Sequence, residues 1–423
     1  MMEKDEALKI LYEATERGAE IEQVDLDAAL GRVLAQAVVA DMNVPPFNRS
    51  AMDGYAFKVA DVTADGAELN ICGVVAAGEV FERALNIGEA VKIMTGAPVP
   101  EGADAVQMVE KTEDVSDSRV RILKTCSLGQ NIAPMGQDMT TGEVVLHAGT
   151  TIRPIEIGML ATLGQAQVSV FRRPSVTVYA TGDELVPPGA GMPGPGQIRE
   201  SNGSMLASQV RALGVGLEAT FAGIVADTQE ATRDAIEAGM EADVLILSGG
   251  VSMGDFDHVH HELKARGLEV KIQSVAIKPG KPLLFGRMKR LDGTYTWVFG
   301  LPGNPVSSFC TFELFVRPFL RGLIGLQPPH TLTVKATLTA PLRGRPIPRT
   351  QHLPAQVNLG PGGLTVCQVP WNGSGDLRGL IDANGFIISK ALEPFPEEGD
   401  LVDVVLSEPE ALRLPAKTSR GRS

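Results

Sequence analysis

The 423-residue chain has few of the features that mark secreted, membrane-spanning or nucleic-acid-binding proteins. Its four cysteines (Cys72, Cys126, Cys310 and Cys367) lie far apart without a C-x-x-C pair, which is typical of reduced thiols in a cytoplasm. No apolar run approaches the roughly 20 residues of a membrane span, and the amino terminus predicts a charged helix instead of a signal peptide. A net charge of −13 argues against nucleic acid as the main partner. We therefore expect a cytoplasmic protein that binds neither membrane nor nucleic acid.

Several catalytic and metal-binding signatures are also missing. The sequence contains neither the G-x-x-x-x-G-K-[ST] phosphate loop nor the G-x-S-x-G nucleophile elbow. His258, His260 and His261 lack the i, i+4 spacing of a helical metal pair, so we do not expect them to bind a metal together.

The order of the patterns predicts a multidomain α/β protein, because the chain is too long for one core. Alternating strands and helices after residue 173 indicate a parallel or mixed central sheet, and short strands with turn glycines near the carboxyl end indicate a barrel or sandwich. The predicted domains are a discontinuous amino-terminal domain (1–44 and 139–172), an inserted β-rich domain (45–138), the central α/β domain (173–326), a carboxy-terminal β domain (327–410) and a disordered tail (411–423).

Two local expectations concern helices. Residues 27–34 predict a short helix in the amino-terminal domain. Asp227 and Glu230 are spaced as a capping box at the start of a helix over residues 228–239.

The stretch at residues 243–257 is the strongest candidate for chemistry. Its apolar run has no alternation, which is typical of a strand buried on both faces, and it ends at Ser248-Gly249-Gly250, where backbone N–H groups can approach a ligand. The simpler alternative is a tight connection in which Asp255 or Asp257 caps the next helix.

Glycine- and proline-rich turns recur at the strand ends between residues 181 and 305, so we expect them to share one edge of the sheet. That edge would collect carboxylates, amides, serines, glycines and two lysines: Asp183, Glu184, Glu200, Ser201, Asn202, Asp227, Ser248, Gly249, Gly250, Asp255, Asp257, Lys278, Lys281 and Asn304. Clustered carboxylates repel one another unless a cation joins them, and Mg²⁺ takes one or two carboxylates together with phosphate oxygens. These residues predict Mg²⁺-assisted chemistry on a phosphorylated ligand, although each acid alone could be a cap or a surface charge.

These segments resemble the molybdopterin molybdenumtransferases, the family that includes MoeA and the gephyrin E domain. The runs Ser-Ala-Met-Asp-Gly-Tyr and Pro-Gly-Asn-Pro-Val-Ser are highly specific. The matching segments follow the family's order over about residues 3–406, at positions 45–56, 95–98, 181–185, 248–255, 278–282 and 301–307.

The resemblance implies a four-domain homodimer with an elongated, discontinuous amino-terminal domain. Its site lies between the central domain of one subunit and the other subunit's amino-terminal half, which brings Asp53 and Thr95 to the partner's Glu184 and Asp257. The implied reaction uses adenylylated molybdopterin, molybdate and Mg²⁺, inserts molybdenum into the dithiolene and releases AMP. Other cofactor-biosynthesis proteins are possible partners.

The resemblance also implies which residues form the site, position by position. The acids predicted to be catalytic are Glu184, Asp257 and Asp53, with Glu184 and Asp257 as the Mg²⁺ ligands. The predicted substrate contacts include, besides the glycine turn at 248–250, residues near the pterin nucleotide, the molybdate and the pterin phosphate: Thr95, Asp138, Asp227, Lys278, Lys281, Pro302, Pro305, Arg349 and Ser374.

The chain departs from the family at three positions. Ala133 and Gln137 stand where Arg and Glu are usual, although Asp138 is kept, and Thr228 follows Asp227 where a second Asp is common. Two other functions stay open. One is molybdopterin adenylyltransferase, since a related α/β domain serves that step, and the other is a non-catalytic gephyrin-like scaffold. The sequence does not distinguish molybdate from tungstate, or show whether a paralogue shares the role.

Overall fold

The computed structural model describes residues 1–250, 258–326 and 331–407. These residues form two compact units, each described by itself. The larger unit comprises residues 1–35, 149–153 and the described residues from 167 onward, and the smaller unit comprises residues 36–148 and 154–166.

A six-stranded mixed sheet is the centre of the larger unit. Its four parallel strands follow one another across the sheet, and two antiparallel strands complete one side. In spatial order the strands are Ala219–Val225, Val176–Thr181, Val244–Ser248, Tyr295–Leu301, Pro282–Lys289 and Glu269–Ser274. The mixed central sheet expected from the sequence is therefore confirmed.

Helices cover both faces of this sheet, as the apolar strand at 244–248 predicts. Val244 and Ile246 of that strand belong to one hydrophobic core, whereas Leu245 and Leu247 belong to another. Burying each such side chain contributes roughly 1.5–3 kcal/mol. The helices on the first face are Lys4–Gly18, Asn202–Arg211, and the run Pro305–Thr311, Phe312–Val316 (a π-helical turn) and Arg317–Leu323; those on the second are Gln229–Gly239 and His258–Ala265.

The carboxyl-terminal strands form a closed five-stranded barrel. The strand Thr350–Gly360 pairs with two barrel strands and also with the short strand Ile277–Lys278 of the central region. Around the barrel the strands are Thr350–Gly360, Gly363–Gln368, Thr333–Leu338, Leu401–Leu406 and Gly385–Ser389. Their inward side chains make a separate core, which confirms the expected β domain. The remaining elements of the larger unit are the strand pairs Ile21–Asp25 with Gln167–Phe171 and Leu185–Val186 with Ile198–Arg199, and the 3₁₀ turns Leu26–Ala28 and Leu377–Leu380.

The smaller unit is built on a second six-stranded mixed sheet with a hydrophobic core on each face. In spatial order its strands are Ala105–Met108, Gly54–Phe57, Glu89–Ile93, Ala67–Val75, Arg119–Ile122 and Thr112–Ser116. The other elements are the pairs Val38–Val39 with Val144–Leu146 and Arg49–Ser50 with Ile132–Ala133, the helix Pro154–Thr162, and the 3₁₀ turns Val59–Asp61 and Val109–Lys111. The expected β-rich character of this region is confirmed, whereas the predicted domain limits stay predictions.

Two local expectations were wrong. The predicted helix at residues 27–34 is only the 3₁₀ turn Leu26–Ala28, after which Val33 and Leu34 make isolated β-bridges. The helix Gln229–Gly239 is capped by Thr228, whose hydroxyl accepts from the N–H of Ala231 at 3.3 Å, instead of by Asp227. Threonine is among the residues favoured at this position, although it ranks below aspartate, and here its backbone has the extended conformation of a cap. Thr228 therefore has a structural role as the helix cap, and the Asp227 carboxylate does not cap this helix.

A partly buried ion-pair network joins the starts of two central strands to the segment that precedes them. Asp243 accepts from Arg172 at 2.9 Å and from both the N–H and the hydroxyl of Ser175 at 2.8 and 2.9 Å. Arg172 also pairs with Glu20 at 2.5 Å. Burial alone would raise the pKa of Asp243, but the hydrogen bonds from Arg172 and Ser175 hold it below its ordinary value.

Replacing Asp243 with Ala should lower the free energy of unfolding by about 2 kcal/mol, because Arg172 loses one of its two carboxylate partners and the N–H of Ser175 loses its acceptor. Glu269→Ala removes one exposed partner of Arg287 and should cost under about 1 kcal/mol. Urea unfolding of both variants measures this difference, and equal losses of unfolding free energy in the two variants would contradict the prediction. Because folding lowers the pKa of Asp243, its contribution is present at neutral pH and is lost below about pH 4.

Candidate active site

A cavity of about 690 Å³ opens at the carboxyl ends of the central parallel strands. Turns from four strand ends and one loop of the carboxyl-terminal region line it, which is the arrangement expected for a ligand site in an open α/β sheet. Eleven residues predicted from the sequence are in its lining: Glu184, Glu200, Ser201, Asn202, Asp227, Ser248, Gly249, Gly250, Pro302, Asn304 and Pro305.

The glycine turn after strand Val244–Ser248 is shaped by close backbone contacts. Gly249 has φ +96°, and a Cβ at this position would lie 2.6 Å from the carbonyl oxygen of Thr181. Its N–H donates to the carbonyl of Leu301 at 3.0 Å, which fixes the turn between two neighbouring strand ends. Only glycine fits here, since any side chain would separate the strand ends that form the cavity floor.

A buried amide organises the adjoining wall. Asn202, at the start of helix Asn202–Arg211, donates from Nδ2 to the carbonyl of Gly303 at 2.7 Å and to Oγ of Ser248 at 3.1 Å. Because a carbonyl can only accept, these bonds fix the orientation of the amide. Oδ1 of Asn202 and the hydroxyl of Thr181 are both buried, and neither has a hydrogen-bond partner among the residues that the structure describes. Unpaired buried polar atoms beside a cavity are typical of a site built for a polar ligand.

Three carboxylates gather at one side of the cavity. The carboxylate of Glu184 lies over Gly182, where an added Cβ would come within 2.5 Å of Oε2. Asp183 accepts from the N–H of Asp227 at 2.9 Å. Although Asp227 keeps contact with solvent, partial burial raises its pKa, and the charges of Asp183 and Glu184 raise it further. The raised pKa of Asp227 therefore comes first from burial, with the two neighbouring carboxylates adding to it.

This acidic group fits a hard divalent cation such as Mg²⁺, which offsets carboxylate repulsion and keeps positions for phosphate oxygens. Within residues 1–250, 258–326 and 331–407, no cluster of three or more Asp, Glu, His or Cys side chains is close enough to hold a metal by itself. Asp257, the second predicted ligand, lies outside the described residues. Glu184 and Asp227 are the described carboxylates that could hold such an ion.

The predicted basic residues border the cavity without lining it. Lys281 precedes Pro282, which is in the lining, and Arg349 donates to the carbonyl of Ile277, next to Lys278, at 3.1 Å. Both lysines are exposed, and in the described parts of the chain neither forms an ion pair with a carboxylate. Ser374 accepts through its carbonyl from the N–H of Val306 at 3.0 Å, and Gly375 beside it lines the cavity.

Two predicted residues of the smaller unit form a pair of their own. Oδ1 of Asp53 accepts from the N–H and the hydroxyl of Thr95 at 2.6 and 2.7 Å, and both residues are exposed. The bond from the Thr95 backbone lowers the pKa of Asp53, so the carboxylate stays ionised. Asp138 is exposed in the same unit, and its N–H donates to Val44 at 2.9 Å. The structure thus joins Asp53 to Thr95 across 42 positions of the chain.

Several lining residues were missed by sequence reasoning. Thr181 ends a predicted strand, His258 begins the helix after the glycine turn, and Leu377 comes from the carboxyl-terminal region. Strand-end and helix-start positions were a usable signal for Thr181 and His258. No sequence signal indicated Leu377, because its place depends on how distant segments pack.

A second cavity, of about 750 Å³, lies elsewhere in the larger unit and is lined mainly by apolar side chains together with Lys4, Arg317 and Arg321. It contains none of the predicted site residues and lies away from the strand ends. Size alone therefore does not identify the reactive site, and the cavity at the carboxyl edge is the stronger candidate.

Comparison with known proteins identifies the class. The model of the MoeA N-terminal region (domain I and II) matches residues 2–164, and that of the MoeA C-terminal region (domain IV) matches residues 335–407. Between them, residues 177–322 match the model described as a probable molybdopterin binding domain. The three matches follow the order of the segments quoted from the sequence.

Relatives and solved structures agree with these matches. The molybdopterin molybdenumtransferase of Bacillus subtilis (strain 168) is 36% identical over 411 residues, covering 95% of this chain and 93% of the relative. The Staphylococcus aureus (strain MSSA476) protein of the same name is 36% identical over 92% of this chain and 91% of its own length. The structure of the molybdopterin biosynthesis MoeA protein from Pyrococcus horikosii has a TM-score of 0.80 at 33% identity and covers 95% of this chain and 98% of its own.

The chain therefore belongs to the MoeA family of molybdopterin molybdenumtransferases, which confirms the resemblance seen in the sequence. In the described part of the chain, no helix has the length and apolar character needed to cross a membrane.

Proposed function

We propose that this protein is an enzyme of molybdenum cofactor biosynthesis that inserts molybdenum from molybdate into adenylylated molybdopterin and releases AMP. The observation that carries this proposal is the cavity at the carboxyl edge. Its glycine turn and carboxylates lie beside a loop with two exposed lysines, as a ligand with both a pyrophosphate and an oxyanion partner requires. The family to which the chain belongs supplies the reaction class.

The acidic side of the cavity serves the pyrophosphate. The reaction breaks one P–O bond of the pyrophosphate as an oxygen atom of water or molybdate attacks phosphorus, and AMP leaves. A bound Mg²⁺ would withdraw electron density from the phosphate oxygens. Glu184 and Asp227 supply the carboxylates that hold such an ion, and the turn at Gly249–Gly250 lets the ligand approach the backbone.

The basic side serves the oxyanion and the pterin phosphate. Lys278 and Lys281 are compact charges on a loop that Pro279 and Pro282 restrict, and they suit an oxyanion such as molybdate. Arg349 lies next to this loop through its bond to Ile277. Together these cations offset the charge that molybdate brings beside the dithiolene sulfurs.

The proposal includes a homodimer in which the Asp53–Thr95 pair of one subunit completes the site formed by the partner's Glu184. Asp53 and Thr95 are both exposed, and two hydrogen bonds from Thr95 hold the Asp53 carboxylate in one orientation at the surface of the smaller unit. We also assign Asp257 to the Mg²⁺ ligands and Asp138 to the substrate contacts. We place the enzyme in the cytoplasm, where its four free cysteines stay reduced and other cofactor-biosynthesis proteins can reach it.

The decisive assay incubates the purified protein with adenylylated molybdopterin, Mg²⁺ and molybdate and measures AMP. We expect AMP release that depends on molybdate, together with molybdenum in the pterin product. The same reaction with molybdopterin and ATP tests the adenylyltransferase alternative. Formation of adenylylated molybdopterin there, without AMP release in the first assay, would favour the alternative. Binding without turnover in both assays would support a scaffold.

A further inference from the structure

The strand pair Leu185–Val186 and Ile198–Arg199 forms one rim of the cavity. The N–H of Ile198 donates to the carbonyl of Glu184 at 2.8 Å, and the N–H of Glu200 donates to that of Val186 at 2.8 Å. These backbone bonds fix Arg199 beside the carboxylates of the cavity. The backbone on both sides of Arg199 is therefore tied to the segment that carries Glu184.

Arg199 is the one Lys or Arg among the described residues that line this cavity. Its Nη2 donates to the carbonyl of Gly191 at 2.5 Å, and within the described chain no carboxylate pairs with it. The lining also contains the carboxylates Glu184, Glu200 and Asp227. Glu200 is buried and already accepts from the N–H of Gly203 at 2.5 Å, at the start of helix Asn202–Arg211. The guanidinium is thus held by a backbone carbonyl, and most of its donors stay available for a ligand.

A phosphate is the ligand chemistry that suits this cation. Arginine presents a planar fork of N–H groups that matches phosphate oxygens, and it keeps its charge at any physiological pH. An anionic ligand that enters a cavity with three carboxylates needs positive charge, and a cation at the acidic group would face only some of its oxygens. Arg199 stands where it can contact the others.

An apolar surface adjoins the arginine. Ile198 is 57% exposed, and its register partner Leu185 also lines the cavity. Two aliphatic side chains beside a phosphate-binding cation are suited to a ligand that carries a flat ring as well as a phosphate, because they can pack against the face of the ring. A nucleoside monophosphate has this combination.

We propose that the rim formed by Leu185, Ile198 and Arg199 binds the AMP half of the substrate, with Arg199 contacting phosphate and the two aliphatic side chains contacting the base. This inference rests on the proposed function and adds to it the part of the site that selects an adenylylated substrate. Arg199 is here a specificity-determining residue, and no bond is made or broken by it.

The test compares AMP with adenosine as probes, measured by calorimetry on the wild-type protein and its variants. Arg199→Ala should weaken AMP binding roughly tenfold or more and leave adenosine unchanged, because only the phosphate contact is lost. The AMP affinity of Arg199→Lys should lie between those of wild type and Arg199→Ala, since lysine keeps the charge but lacks the planar fork of N–H groups. Ile198→Ser should weaken the binding of both AMP and adenosine and leave the binding of inorganic pyrophosphate unchanged. Arg233→Ala, which removes an exposed arginine outside the cavity, is the matched control.

The inference is overturned if Arg199→Ala binds AMP as wild type does, or if AMP and adenosine lose affinity equally, since equal losses report a distorted site. In turnover, the variant should raise KM for adenylylated molybdopterin more than it lowers kcat. A wild-type protein that binds AMP in an Arg199-dependent manner but releases none from adenylylated molybdopterin contradicts the proposed function and leaves this inference standing. Normal turnover with an unchanged KM in Arg199→Ala contradicts the inference alone.

Discussion

Glu184→Gln should lower molybdate-dependent AMP release at least about a hundredfold, because an amide of the same shape cannot offer a carboxylate to a cation or stabilise charge that develops at the phosphate. The carboxylate lies at the cavity mouth over Gly182, close to Asp183 and Asp227. Its removal should also bring the pKa of Asp227 down, since one of the charges that raises it is lost. The measurement is AMP released per minute at saturating substrate.

A suitable control for this variant is Glu218→Gln, an exposed glutamate of the same unit outside the cavity. It should keep wild-type activity. The melting temperatures of both variants should lie within a few degrees of the wild-type value. Glu184 is exposed, and within the described residues no hydrogen bond from its side chain supports the fold. Retention of more than about half the activity by Glu184→Gln would remove this residue from the catalytic group.

The fold was readable from sequence wherever a local pattern determines structure. The strand Val244–Ser248 is buried on both faces, as its unbroken apolar run predicts. The helix start at residue 228 was less readable because Asp227 and Thr228 are both good caps, and the choice depends on backbone geometry and not on side-chain type. At residues 27–34, β-bridges of Val33 and Leu34 to other segments prevail over local helix preference.

The same reasoning applies to the site. Strand ends of one sheet must share an edge, so Glu184, Asp227 and the turn at Ser248–Gly250 could be grouped without any structure. Gly375 and Leu377 reach that edge through long-range packing of the barrel region, which short sequence patterns do not encode. The pair Asp53–Thr95 could be predicted only in part. The family resemblance pointed to both residues, but only the structure shows the hydrogen bonds between them.

The proposed sharing of the site between two subunits predicts the activity of mixed dimers. Asp53→Asn and Glu184→Gln should each inactivate the homodimer, because each removes a carboxylate from every site. In a heterodimer with one subunit of each kind, one site combines the intact Asp53 of one chain with the partner's Glu184, and the other carries both changes. Heterodimers isolated through two different affinity tags should therefore regain about half of the wild-type activity per dimer.

Two further measurements and one alternative outcome make the mixed-dimer result decisive. A heterodimer of wild type with Glu184→Gln should show about half activity whichever chain supplies Asp53, so it calibrates the assay. If Asp53 and Glu184 of the same chain form the site, the mixed dimer has one defect in each site and should stay as inactive as its parents. Sedimentation of the wild-type protein as a monomer at assay concentration would contradict the dimer itself. Recovery by the mixed dimer would locate Asp53 and Thr95 at the partner's acidic group, because no other arrangement of the two changes leaves an intact site.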